Sequence, residues 1–442
     1  MKKYIAFLLV MVVLTAVPLA ASAAVPAPEG PFNTAFRIQN LGASAARCGF
    51  RFYDASGVEQ YSSGILPDIP VGDSAYIYVP SDTTVDAGQY AAVVECDQPV
   101  AAVVNFSDAD SGASYSGVAE PADTLYAPGI YDDFYSYFSN IVVQNAGSGP
   151  IDISVEIYAP GNPTPVKTQT ETNVQGYGFA VFEQEGLPEL VKNQFYSARI
   201  IGTGGDIAAV VNIYGKGGAA DQLYSYNPFA SGSTLAYAPV ILNSYYGYNT
   251  SLVIQNLGTN PADVTVSYSD GTVKTTTIAP GAADSRYTPS EGLAPGLYGV
   301  KVESTNSEPI VVLVNESTNK NRAASYEGFA AGSATVRTPI VMRRYYKWNS
   351  SITCQNVGSS PTTMDIEYGG IAGTTTSPSI PVNGIHLFYQ PADPLLTSDN
   401  WIGSATITSA EPIVCVVNQD QNEAPQVNQL MDQLYAYDGI GQ

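Results

Sequence analysis

The chain has 442 residues, with 18 Lys and Arg against 40 Asp and Glu and a formal charge of −22, a length that fits three or four ordinary domains. So acidic a chain lacks the cations that displace counterions from nucleic acid or hold an anionic bilayer surface, which excludes both as partners. One histidine against 31 tyrosines, 40 glycines and 30 prolines removes most histidine chemistry and suits short strands joined by tight turns.

The chain opens with Met1-Lys2-Lys3, an apolar run from Ile5 to Leu19, and the small residues Ala21-Ser22-Ala23. This is the layout of a secretory signal peptide over 1–23. No cysteine follows the run to carry a lipid, and no later segment is apolar enough to span a bilayer. The expectation is a protein secreted or held at the cell surface, with no membrane insertion after cleavage.

Four repeats follow. Gln-Asn-x-Gly occurs with its Asn at Asn40, Asn145, Asn256 and Asn356, and a Val-Val-Asn-like marker ends at Asn105, Asn212, Asn315 and Asn418. Two markers in constant order at nearly constant spacing divide the chain into modules 24–122, 123–233, 234–334 and 335–442. The third shows the internal pattern. Short β-branched runs such as Ser251–Gln255, Val264–Tyr268, Tyr298–Glu303 and Pro309–Asn315 are bounded by Gly, Pro, Asn and Asp, as strands are. Seven or so strands per module predict an all-β chain of four tandem Ig-like antiparallel sandwiches arranged as a rod.

The Asn-x-Gly marker reads as a turn in which Asn bonds its own following backbone and Gly supplies positive φ. The last-strand Asn is expected to satisfy a backbone group at the strand end. Gln98-Pro99, Glu308-Pro309 and Glu411-Pro412 read as the preceding hairpin turn, replaced in module 2 by Gly204-Gly205-Asp206. With its mid-module Pro-Gly and Pro-Ile-Val-x-Val-Val-Asn last strand, the chain resembles the Ig-like repeats of exported bacterial surface proteins. That resemblance implies fold and location only.

An aromatic block recurs before the first marker. In modules 2 to 4 a proline (Pro128, Pro239, Pro339) keeps one fixed distance ahead of the marker Asn, and aromatics occupy offsets −11, −10 and −8 from that Asn. They are Phe134, Tyr135 and Tyr137; Tyr245, Tyr246 and Tyr248; and Tyr345, Tyr346 and Trp348. Module 1 keeps only Phe32. One reading is a clamp against the preceding module, which module 1 lacks; the other is a platform for sugar rings or a protein. In an extended segment the side chain at offset −8 is expected buried and Phe134, Tyr245 and Tyr345 the more accessible.

The four cysteines fall two in module 1 and two in module 4, which in an oxidising compartment predicts disulfides Cys48–Cys96 and Cys354–Cys415. They are expected to restrain terminal modules that have one neighbour each. Metal binding is not expected, since Cys-x-x-Cys and histidine partners are missing. Calcium has weak candidates in Asp108 and Asp110, with Asp132-Asp133 behind them.

No nucleophile elbow, zinc-protease or phosphate-loop motif appears, and His386 in Ile385–Tyr389 reads as an ordinary packed or edge-strand histidine. The expected role is a non-enzymatic structural or adhesive protein, a spacer or fibre component without a cofactor. Its partners would be extracellular polymer, another surface protein or itself. The alternative is a carbohydrate-binding protein using the aromatic blocks; remoter still is a glycoside-active enzyme with two carboxylates in a cleft.

Overall fold

A computed structural model describes residues 4–11, 31–108, 111–216, 222–318, 322–421 and 434–441, those at 4–11 by backbone alone. Nearly all the ordered elements are strands in antiparallel sheets. In the third repeat one sheet joins Leu235–Asn243, Gly296–Ser304, Ala262–Tyr268 and Val273–Ile278 in that order. The other joins Ala283–Tyr287, Tyr248–Asn256, Ile310–Thr318 and Ala323–Glu327. The first and second repeats build the same pair of sheets, and in the fourth the continuous strand Trp401–Asp420 runs through both, fusing them.

The two sheets bury differently, and the sequence says why. Ala262–Tyr268 alternates, with Val264, Val266 and Tyr268 inward and Asp263 exposed, because one face meets the core and the other meets water. Ile310–Thr318 is apolar without alternation from Ile310 to Val314, and all of those residues are buried. A strand of that kind needs cover on both faces. Here a neighbouring unit supplies the second cover.

The four units close into a ring. The eighth strands, Gly112–Ser116, Leu223–Tyr226, Ala323–Glu327 and Leu434–Asp438, meet one another in cyclic order. Each hydrophobic core runs into the next unit: Val142 and Phe179 join the first core, Val253 and Leu313 the second, Val416 and Ala436 the third. Val103 of the first unit completes the fourth. Around the centre, Ser116 N donates to Asn227 Oδ1 at 3.2 Å, Asn227 N to Glu327 Oε1, and Glu327 N to Asp438 Oδ2 at 3.2 Å. Ser114 Oγ closes the circle on the Ala436 carbonyl at 2.6 Å. The expected rod is therefore replaced by a ring: every unit carries two apolar faces, and serial contacts would leave the outer faces of the first and last units in water.

The Asn-x-Gly turn forms in all four units, for a different reason at the glycine. Asn40, Asn145, Asn256 and Asn356 are fully buried, and each Oδ1 accepts the next N–H but one along the chain, at 2.8 to 3.0 Å. Each Nδ2 donates to two carbonyls, as Asn256 does to Asn260 and Ile278. None of the four glycines has positive φ. They are small because a Cβ would strike the side chain of Gln98, Glu308 or Glu411 at Gly42, Gly258 and Gly358. Gly147, in the unit without that Gln-Pro or Glu-Pro turn, has only Asn145 Oδ1 nearby, at 3.5 Å.

The recurrent proline marks a register shift in the first strand of units two, three and four. The backbone freed there is caught by a tyrosine of the eighth strand. Tyr226 binds both N–H and C=O of Gly129, Tyr326 those of Val240, and Tyr437 those of Ile340. In the first unit the corresponding strand is Tyr4–Met11, paired with Gln89–Cys96. The N-terminal part of the segment read as a leader thus lies inside the first unit's sheet, and the boundary drawn at 24 lies outside the described residues.

Candidate functional site

The aromatic blocks are hairpin tips rather than extended segments. Offsets −11 and −8 exchange backbone hydrogen bonds: Phe134 with Tyr137, Tyr245 with Tyr248, Tyr345 with Trp348. Between them lies a pair of positive-φ positions: Tyr135 (51°) and Ser136 (71°), Tyr246 (50°) and Gly247 (85°), Tyr346 (46°) and Lys347 (73°). This is the two-residue turn whose twist matches a hairpin. The expected contrast between −8 and −11 is absent, both rings being half-buried in each block; the −10 tyrosines project outward instead, with Tyr135 72%, Tyr246 86% and Tyr346 72% exposed. Each −10 ring leans edge-on against its −11 neighbour, at centroid distances of 4.7 to 4.9 Å.

The blocks of the third and fourth units each face the next unit around the ring, not the preceding one. Tyr245, Tyr246 and Tyr248 line a cleft of about 590 Å³ whose far wall is Ser351, Thr353, Leu387 and Tyr389 of the fourth unit. Its floor is polar. Glu316 is 1% exposed; its Oε2 accepts from Asn418 Nδ2 at 2.8 Å and its Oε1 has no partner. Burial raises the Glu316 carboxyl to about 8. Asp420 is raised to about 6 by burial, against the opposing pull of Arg322, whose Nη1 lies 3.7 Å away. Arg322 also donates to the Tyr248 hydroxyl at 2.9 Å; burial lifts that phenol above its usual range.

A sister cleft of about 260 Å³ lies between the fourth and first units, lined by Tyr345, Tyr346, Trp348 and Tyr435 on one side and Tyr76, Tyr78, Asn105 and Ser107 on the other. Trp348 stacks on Tyr435 at 4.6 Å. Here Gln419 occupies the place of Glu316: it accepts from Asn105 at 2.9 Å and donates to the Ile340 carbonyl at 3.0 Å. The last-strand Asn residues thus work across unit junctions or against neighbouring side chains, as in Ser325 Oγ to Asn315 Oδ1 at 2.7 Å. The expected bond to a strand-end backbone group is not what they make. Phe134 stacks on Tyr131 at 5.1 Å, and Tyr137 bonds Gln222.

The remaining candidates stay apart. Cys48–Cys96 and Cys354–Cys415 are bonded as expected, each across directly opposed residues of neighbouring strands. Their units each have two neighbours, so the one-neighbour rationale does not hold. Asp108 Oδ1 accepts the Ser111 N–H at 2.6 Å and closes a turn; Asp110 lies outside the described residues. Asp132 takes Gly186 N–H at 3.1 Å, and Asp133 pairs with Lys192 at 2.6 Å. Among the described residues no three Asp, Glu, His or Cys side chains converge on a cation site. His386 is half-buried edge-on to Phe388 at 4.5 Å, its pKa lowered by burial.

Glu316, Asp420 and the eighth-strand tyrosines escaped the sequence reading. A signal for the tyrosines is present: Ser114-Tyr115, Ser225-Tyr226, Ser325-Tyr326 and Ala436-Tyr437 recur after each last-strand Asn.

No family model and no curated protein matches the chain. Among solved structures, red sea bream transglutaminase aligns at 8% identity with a TM-score of 0.11, over 53% of this chain and 29% of its own. SGBP-B of the Bacteroides ovatus mixed-linkage glucan utilization locus, in complex with a mixed-linkage heptasaccharide, aligns at 12% identity with a TM-score of 0.13. That match covers 85% of this chain and 92% of the other. Scores of this size describe no common fold.

Proposed function

We propose that the protein is an exported, non-catalytic binding protein, an adhesin of four Ig-like units that takes an extracellular polysaccharide in the clefts between them. The observation that carries this reading is the conformation of Tyr135, Tyr246 and Tyr346. A left-handed backbone costs a residue with a Cβ about 1 kcal/mol or more, and Gly or Asn fills such positions without that penalty. Three large exposed aromatics kept there are accounted for by work at the surface. Tyr246 and Tyr346 stand at the mouths of clefts, and the larger, at about 590 Å³, falls in the range of small-ligand sites. Flat rings with hydroxyl tips and a polar floor suit a sugar, which has apolar faces and hydroxyl edges. The carboxyl groups of Glu316 and Asp420 are engaged with Asn418 and Arg322, which favours a holding role over acid–base chemistry. The two disulfides fit an oxidising compartment.

A glycan array, followed by calorimetry on its best ligand, tests this. Tyr246→Ala is expected to weaken binding tenfold or more while leaving the melting temperature within a degree or two. An array without a single saccharide ligand, or equal binding by Tyr246→Ala and Tyr346→Ala, refutes it.

A further inference from the structure

In units two, three and four the first strand is locked by an eighth-strand tyrosine on the residue after the proline. The first unit keeps the tyrosine but not the lock. Tyr115 is 4% exposed, and its hydroxyl has no hydrogen-bond partner. Gly129, Val240 and Ile340, the residues so locked, all stand at one and the same distance before their marker Asn, and that distance counted back from Asn40 reaches Ala24. That is the first residue after the cleavage site expected from Ala21-Ser22-Ala23. The slot is filled from further upstream, by Tyr4–Met11, in unbroken antiparallel register from Tyr4 opposite Cys96 to Met11 opposite Gln89. Val10 lies opposite Tyr90. Ile130 and Ile241, each next in the chain after a locked residue, lie opposite Tyr196 and Tyr298, and the same count back from Asn40 reaches Val25 in the sequence.

We propose that the first unit is a strand acceptor: once the leader is removed, the Gln89–Cys96 edge takes an extended apolar strand from a second polypeptide. The segment now in the slot defines the chemistry of the donor. It is a single strand free of proline and apolar throughout, Tyr-Ile-Ala-Phe-Leu-Leu-Val-Met, and it runs antiparallel. The chain's own residues after the cleavage point are poor donors, because Pro26, Pro28 and Pro31 lack the N–H a ladder requires. Ala92 and Val94 on the acceptor strand are completely buried, so a vacant slot opens core as well as unpaired backbone, the situation that strand addition resolves. The Cys48–Cys96 disulfide ties the acceptor to its other neighbour and keeps it in the sheet while the slot is empty.

The test uses the exported protein. Intact mass defines its first residue, and a lysine-tagged Tyr4–Met11 peptide is titrated against it with a Leu8→Pro peptide as control. The expected result is a chain beginning at Ala24 that binds one peptide, gains several degrees in melting temperature, and binds the proline peptide at least tenfold more weakly. A chain that precipitates alone and is recovered by the peptide supports the same conclusion. Retention of residues 1–23, or a chain from Ala24 that ignores both peptides, overturns it.

Discussion

Replacing Glu316 by Gln tests the junction between the third and fourth units. Glu316 is fully enclosed, with its carboxyl raised from 4.5 to about 8 by burial. Between those values the folded protein holds a proton that the unfolded chain releases, so stability falls as pH rises, by about 1.4 kcal/mol per pH unit from this group. The full penalty, present above pH 8, is about 5 kcal/mol. A glutamine does not titrate, and the fourth unit shows how it fits: Gln419 accepts from Asn105 and donates to the Ile340 carbonyl. In Glu316→Gln the amide would accept from Asn418 and turn its NH₂ toward the matching Val240 carbonyl. Urea midpoints measured from pH 5 to 9 should show variant and wild type nearly equal at pH 5, with the variant ahead by several kcal/mol at pH 9. Asp420, raised to about 6, and Asp438, raised by burial beside Glu327, add to the alkaline loss in both proteins. The difference between the two curves therefore isolates Glu316. Parallel curves would refute the assignment of a buried, protonated carboxyl.

Tyr326→Phe removes two hydrogen bonds to Val240 and leaves both backbone groups buried; a loss of about 2–4 kcal/mol in denaturant stability is expected. Tyr115→Phe should be neutral or mildly stabilising in the same assay, because its hydroxyl is already without a partner. Gly358→Ala should destabilise by about 1–2 kcal/mol, since the new Cβ meets Glu411 at its Cβ, 2.7 Å away, and disturbs the Glu411 bonds to Ser359 and Ser360. Gly147→Ala, with 3.5 Å to its nearest neighbour, should leave the melting temperature unchanged.

The strands were legible because the chain is punctuated by Asn-x-Gly and by β-branched runs, both local features. The ring was not, although part of its signal is in the sequence. Ile310–Val314 and its relatives are apolar without alternation, which demands cover on both faces; a rod supplies that only to interior units. The aromatic blocks were misplaced because exposure was read from an extended strand, while Ser136, Gly247 and Lys347 complete a two-residue turn that sends Tyr135, Tyr246 and Tyr346 outward. Glu316 carried no local signal: its burial arises from Asn418, far away in sequence, and from a neighbour that only the closed ring provides.

Three of the four junctions are crossed by the polypeptide; the one where Ser114 meets Ala436 and Asn105 meets Gln419 is not. Because the entropy of loop closure grows only with the logarithm of length, bringing the far ends of the molecule together costs little more than seating consecutive units. The order in which the units are strung is thus separable from the shape they make, and the two disulfide-stapled units flank the one seam that side chains and packing alone hold shut.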